Sequence, residues 1–207
     1  MRSSIQIKSR RAERTEETAA ALVRAAAALF VRRGYEETQL SEIARRARVT
    51  TGAIYHHFED KKALFRAVAE EITRRFALAA RDASRAERDP WRRLLAGIER
   101  ALDASAAPEV KLAFLEAPVV LGLDAWREIE LRETAPVFAE AFQVLVASGE
   151  LSAPRAELLG RLLRGMVVEA AMAVAEAEDP DAAKRELRGM VRQTIEAFAH
   201  RSLAGEP

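Results

Sequence analysis

The chain has 207 residues, 49% of them apolar and 31% charged, with a formal net charge of +1; that suits one ordinary domain, or a small module joined to a larger one, with enough apolar material for a packed core. It has no cysteine, which excludes a disulfide framework, thiolate catalysis and cysteine-bound zinc, and no apolar run approaches the roughly 18–20 residues that span a bilayer. Ala, Leu, Arg and Glu dominate while glycine and proline are sparse, so the expected fold class is all-α, with about nine helices and a cytoplasmic address.

Charge is unevenly placed. Residues 1–58 carry eleven Lys or Arg against six Asp or Glu. A basic head on an acidic remainder fits a phosphate-binding module on a partner-binding body, although chance scatter reads the same way. Arg2, Lys8, Arg10, Arg11 and Arg14 fall within residues 1–14. With no apolar stretch behind them they are not a signal peptide. They read either as a charged tail or as an arm for a minor groove or flanking phosphates.

The first strong helix is expected from Thr15 to Arg33, with Leu22, Ala26, Leu29 and Phe30 on one face and Gly34 as the stop. Leu40 to Ala47 makes a second, short helix. Thr50 caps a third, in which Ile54 and Phe58 should bury. Asp60 caps a longer one with Leu64, Phe65, Val68, Ile72 and Phe76 inward. The tight turn between the second and third gives a helix-turn-helix layout. Residues 15–60 are assigned to this module and 61–207 to a helical body. In the body, Asp89-Pro90 opens a helix, a segment from Pro108 to Glu116 ends at Pro118, and a long helix runs from Asp124 to about Ala147. Pro136 should kink or split that helix. Pro154 to about Ala177 is apolar around most of its circumference, and Asp179-Pro180 starts the last helix.

The segment "ARVTTGAIYHHFEDKKALF", Ala47 to Phe65, holds two of the three histidines. Adjacent helical residues point about 100° apart, so His56 and His57 do not share a metal ion, and no i, i+4 ligand pair is present. No catalytic triad, carboxylate pair or phosphate loop accompanies them. What remains is a solvated surface or a DNA-reading helix. Short hydroxyls and flat aromatics suit phosphate oxygens and base edges, and Gly52 and Ala53 let the backbone approach a duplex.

The stretch "LVRAAAALFVRRGYEETQLSEIARRARVTTGAIYHHFEDKKALF" resembles the DNA-binding domain of the TetR family of bacterial transcriptional regulators. The likeness covers Thr18 to Phe65 and rests on "AA..LF...GY..T", "IA..A.V", "T.G.IY.HF" and the lysine of "DK..LF". It implies that Thr50, Thr51, Tyr55 and His56 contact DNA and that Thr38 and Lys61 meet flanking phosphates. Two residues depart from the family. Arg48 stands where glycine is usual, which costs about 1 kcal/mol if φ is positive and offers a phosphate contact in return. Gln39 replaces a small hydroxyl residue, so the second helix should be capped less well.

The resemblance also implies a homodimer built on the last two long helices and a body cavity for a small, largely apolar molecule. Leu158, Leu162, Gly165, Met190, Ile195 and Phe198 are the candidate interface residues. Trp91, Phe114, Trp126, Phe138, Phe142, Met166 and Glu169 are candidate ligand contacts, most of them equally readable as core. Glu169 sits in the apolar run "GMVVEAAMAVA" and, if buried, needs a partner: a cationic ligand, an arginine such as Arg127, or a second subunit. Gly160, Gly165, Ala170 and Ala171 would permit close helix approach. The functional expectation is a sequence-specific regulator of double-stranded DNA, a repressor released from a palindromic operator by its ligand, with no metal, cofactor, membrane association or enzymatic activity. A DNA-binding protein without an inducer is the alternative.

Overall fold

The computed structural model describes the backbone of residues 2–203 and the side chains of residues 15–199. Its helices are α1 (Arg2–Glu37), α2 (Leu40–Ala47), α3 (Thr51–His57), α4 (Lys61–Ala86), α5 (Pro90–Ser105), α6 (Pro108–Lys111), α7 (Ala117–Leu121), α8 (Leu123–Ala147), α9 (Ala153–Glu176) and α10 (Pro180–Leu203), with a π-helical turn over Leu112–Glu116. The described residues contain no strand. The chain divides into two compact units after Ala69, inside α4. No helix among the described residues is long and apolar enough to cross a membrane.

In the first unit, α1 begins at Arg2 rather than at Thr15. Residues 2–14 contain neither glycine nor proline, so nothing in them stops a helix from propagating backwards. The side chains of the basic arm lie outside the described residues. The expected stop is present: Gly34 adopts φ 77° and ψ 172°, a conformation open to glycine, and breaks the helix after Arg33. Leu22, Ala26, Phe30, Ile43, Ile54, Leu64, Phe65 and Val68 form the core. Phe30, Tyr35 and Phe65 pack edge to face or tilted, with centroids 5.0–5.9 Å apart. Phe58 is only half-buried, so the i, i+4 pair with Ile54 is core at one end only.

In the second unit, α9 packs on α5, α8 and α10. Asp89 caps α5, accepting from the Arg92 N–H at 2.8 Å. Pro118 does not end its segment. The helical path continues to Leu121 and stops at Gly122, φ 92°. The π turn explains this. The Ala117 N–H bonds the Leu112 carbonyl, five residues back, and the ring of Pro118 is spared the clash with an ordinary i−4 carbonyl. The cost is an orphan: the Ala113 carbonyl no longer receives the Ala117 N–H, and Pro118 has no N–H to offer. The indole N–H of Trp126 fills that vacancy at 2.9 Å. The helix α8 runs unbroken through Pro136, so that proline does not split it. Close approach of α9 to α8 occurs at Gly160, where an added Cβ would lie 3.2 Å from the Phe142 ring.

One buried ion pair joins α8 to α9. Arg164 Nη1 donates to both oxygens of Glu130, at 2.9 and 2.7 Å. Glu130 is 3% exposed. Its Oε1 also accepts from the Thr134 hydroxyl at 2.6 Å. Surface pairs Arg188–Asp103 and Arg192–Glu99 tie α10 to α5.

Candidate DNA-reading helix and body pocket

The helix α3 is short because both its ends are fixed. The hydroxyl of Thr50 accepts from the Ala53 N–H at 3.3 Å, and the Phe58 N–H closes the last turn on the Ile54 carbonyl at 2.8 Å. Ile54 is its one fully buried side chain and anchors it to the core. Thr50, Thr51, Gly52, Tyr55 and His56 are all exposed, and Ala53 is half-buried. Tyr55 is 58% exposed, a large aromatic ring that the unit does not use for packing. His56 and His57 stand edge to face, 5.4 Å apart, and His57 turns towards Phe58 at 6.4 Å.

Gly52 has no reason within the fold. An added Cβ would meet nothing closer than Thr50 Oγ1 at 3.8 Å, an ordinary contact. Alanine is a better helix former by up to about 1 kcal/mol. Gly52→Ala is therefore expected to raise the melting temperature while weakening DNA binding, since the methyl group occupies space only a duplex would contest. Calorimetry and fluorescence anisotropy read the two effects; a loss of stability would contradict the assignment.

The turn before α3 holds Arg48, which stands in place of glycine. It caps α2 in the left-handed region, φ 59° and ψ 39°, with the Val49 N–H bonded to the Ala44 carbonyl at 3.0 Å in a Schellman closure. It is exposed. Arg48→Gly is expected to relieve about 1 kcal/mol of backbone strain. It should also lower the slope of log K against log salt by about 0.9 for each phosphate that the guanidinium neutralises in the parent. An unchanged slope would remove Arg48 from the interface. Gln39, as expected, offers α2 no side-chain cap.

Two residues expected at flanking phosphates are built into the unit itself. Thr38 is a correction: it is 1% exposed, its hydroxyl donating to the Gly34 carbonyl at 2.8 Å. The break at Gly34 frees that carbonyl, and Thr38 satisfies it, so its side chain is spent inside. Lys61 is half-buried. Its Nζ donates to the Glu36 carbonyl at 3.0 Å and lies 4.4 Å over the Tyr35 ring, tying the end of α1 to the start of α4. Burial raises the Tyr35 pKa, assisted by Asp60 and Glu36. Arg33 bridges to both oxygens of Glu42 at 2.8 Å and holds its carboxyl below the usual range.

The body contains a small, partly open pocket of about 40 Å³ among α4, α5, α8 and α9. An open groove of about 480 Å³ lies between α8 and α9. Of the candidate ligand contacts, Phe138 lines both and Phe142 lines the groove. Trp91 is buried, its indole N–H donating to Glu150 at 3.1 Å. Phe114 is fully buried against Phe76 and Trp126. Met166 is half-buried and lines neither space. Glu169 is exposed in the single chain and lines neither space, so within its own chain it needs no buried partner. Val167, Ala170, Ala171 and Val174 supply the inward face of α9, and the buried acid of the body is Glu130. The two polar residues of the pocket, Ser84 and Thr134, at 6% and 5% exposure, were not among the candidates. Ser84 continues the inward stripe Phe76, Ala80 on α4, and a serine in such a stripe is the signal that marks it.

Among the interface candidates, Leu158, Leu162 and Met190 are 63%, 70% and 53% exposed. Gly165 is exposed and Phe198 half-buried. Ile195 is a correction: at 2% exposure it belongs to the core of its own unit, because α10 must bury one face on α5 and α9 before it can offer another.

The geometry is matched by relatives. The model of bacterial regulatory proteins of the tetR family matches residues 22–68, and that of the tetracyclin repressor-like C-terminal domain matches residues 91–198. The chain belongs to the TetR family of bacterial regulatory proteins. The A-factor receptor protein of Streptomyces griseus is 47% identical over 60 residues, which are 29% of this chain but only 22% of that relative. A TetR-family transcriptional regulator from Pectobacterium atrosepticum is similar in structure with a TM-score of 0.77 and 27% identity, over 90% of this chain and 96% of that one. RolR, solved in complex with resorcinol, shares the fold with a TM-score of 0.66 and 20% identity, over 95% of this chain and 97% of its own.

Proposed function

We propose that this chain is a ligand-released transcriptional repressor, a cytoplasmic homodimer whose two α3 helices read a palindromic operator and whose body binds a small, largely apolar effector. The observation that carries the reading is α3: a capped, rigidly anchored helix whose exposed side is Thr50, Thr51, Gly52, Tyr55 and His56. Phosphates and base edges are the partners those side chains fit. Two such helices enter successive major grooves when held about 34–36 Å apart, which requires a dimer.

Leu158, Leu162 and Gly165 recur at i, i+4 and i+7 on the outward side of α9, and Met190 is exposed on α10. A stripe of exposed leucines on a helix whose other side is already packed calls for a second copy. The effector reading rests on the body pocket and on α4, which supplies both Phe65 of the first core and Phe76 of the pocket. A ligand that shifts α4 changes operator affinity by the usual 1–3 kcal/mol, about 5–150-fold.

The test is the double variant Leu158→Glu, Leu162→Glu. It is expected to sediment as a folded monomer and to lose tight binding to a two-half-site duplex while retaining the weak, salt-sensitive binding of one head. A variant that remains dimeric, or a monomer that binds the duplex undiminished, would refute the dimeric reading.

A further inference from the structure

The small pocket holds a polar group that makes no hydrogen bond within the described residues. Buried serines in helices ordinarily bond the carbonyl four residues back, as Ser105 does to Ala101 at 2.8 Å. Ser84 is also buried, though less deeply, at 6% exposure on α4 against 0% for Ser105, and lines the pocket. Its hydroxyl has no hydrogen-bond partner among the described residues. The helix α5 presses on the same turn through Gly97, where an added Cβ would lie 3.1 Å from the Ala80 carbonyl oxygen and 3.4 Å from Ser84 Cβ. The Ser84 oxygen is not sealed off, so it keeps a face open to the pocket where a bound group can reach it.

The rest of the lining limits what the partner can be. No charged side chain lines this pocket. Thr134 is its other hydroxyl, and its single proton is committed to Glu130 at 2.6 Å, leaving only lone pairs to accept. Leu94, Val137 and Val167 are typical of the remainder. The pocket's 40 Å³ is too small for an organic ligand, but Phe138 forms part of its wall and part of the wall of the 480 Å³ groove. Phe138 is half-buried, so a change of its rotamer is the movement that would join the two spaces.

We propose that the effector of this chain is a compact, uncharged ring compound bearing one hydroxyl, a phenol or cyclic alcohol, admitted through the α8–α9 groove by movement of Phe138 and held by Ser84. The hydroxyl of Ser84 donates to or accepts from the ligand oxygen, while Thr134 can accept the ligand's proton. This deepens the effector reading above and rests on it.

The experiment compares phenol, toluene and benzoate as probes on the full chain, by isothermal titration, with Ser84→Ala and Phe138→Ala beside the parent. Phenol is expected to bind roughly tenfold more tightly than toluene, and benzoate not at all. Ser84→Ala should remove the preference for phenol and leave toluene unchanged; its fold is safe, since alanine suits a helix interior. Phe138→Ala should speed association of both neutral probes. Equal binding of phenol and toluene, equal weakening of both in Ser84→Ala, or preference for benzoate would overturn the proposal. Operator release is measured separately. Ser84-dependent phenol binding that leaves DNA affinity untouched would uphold the ligand class and defeat the effector reading; a compound that releases DNA equally from the parent and Ser84→Ala would uphold the effector reading and defeat the site.

Discussion

Tyr55→Ala is expected to weaken specific operator binding by at least about thirtyfold while leaving the protein as stable as its parent. The ring is 58% exposed, and neither of the core aromatics of the first unit, Phe30 and Phe65, stacks on it. Its removal creates no cavity and strands no buried group, so the melting temperature should move little. On DNA the effect is large because it counts twice. A good base or phosphate contact is worth about 1–3 kcal/mol, and a two-fold dimer forgoes two of them, roughly 2–6 kcal/mol in all. That weakens affinity by about thirtyfold to more than ten-thousandfold. The salt slope should stay as it was, since no cation is removed, unlike in Arg48→Gly. Anisotropy titrations at several salt concentrations separate the two variants. A Tyr55→Ala protein with parental affinity would remove α3 from the interface, and one that unfolds would make Tyr55 a structural residue.

Arg164→Met is expected to destabilise the body by about 3–5 kcal/mol. Glu130 is 3% exposed and takes both of its charge-bearing contacts from one guanidinium nitrogen at 2.9 and 2.7 Å. Without Arg164, only the Thr134 hydroxyl remains against a buried carboxylate. Removing both charges is a different matter. Two apolar side chains of similar volume can pack where the pair lay, so Glu130→Leu combined with Arg164→Met should recover most of the stability. Urea unfolding of the parent, both single variants and the double variant gives the coupling directly. A single variant within about 1 kcal/mol of the parent would show that water reaches Glu130 and that the pair is an ordinary surface bridge.

Much of the fold was legible because its boundaries are written in short local signals. Thr50, Asp60 and Asp89 each accept from a backbone N–H at the start of the helix they were expected to cap, and Asp179 does the same before α10, accepting from Ala182 at 3.0 Å. The left-handed turn at Arg48 was foreshadowed only by the resemblance, which puts a glycine there; arginine itself gives no such signal. What escaped depends on partners distant in sequence. The path through Pro118 is possible because Trp126, thirteen residues after Ala113, covers an orphan carbonyl, and no local rule announces that. Periodicity also ranks the sides of α9 poorly. With Leu158 and Leu162 outward and Leu159 and Leu163 inward, the helix is apolar on two faces, so periodicity leaves the side of Glu169 undecided; it stands exposed in the structure. Thr38 was displaced by a similar cause, a carbonyl released at Gly34. The exposed side of α3 was readable because its residues are too polar for a core and too aromatic for an idle surface.

The most direct test is selection of bound sequences from a random duplex pool by the purified protein at moderate salt. Enrichment of a palindrome whose half-sites lie about one helical turn apart is the expected result, since two copies of α3 must enter successive major grooves. Binding that enriches no sequence would contradict the account: the protein would then hold DNA through phosphates alone, and α3 would carry no readout.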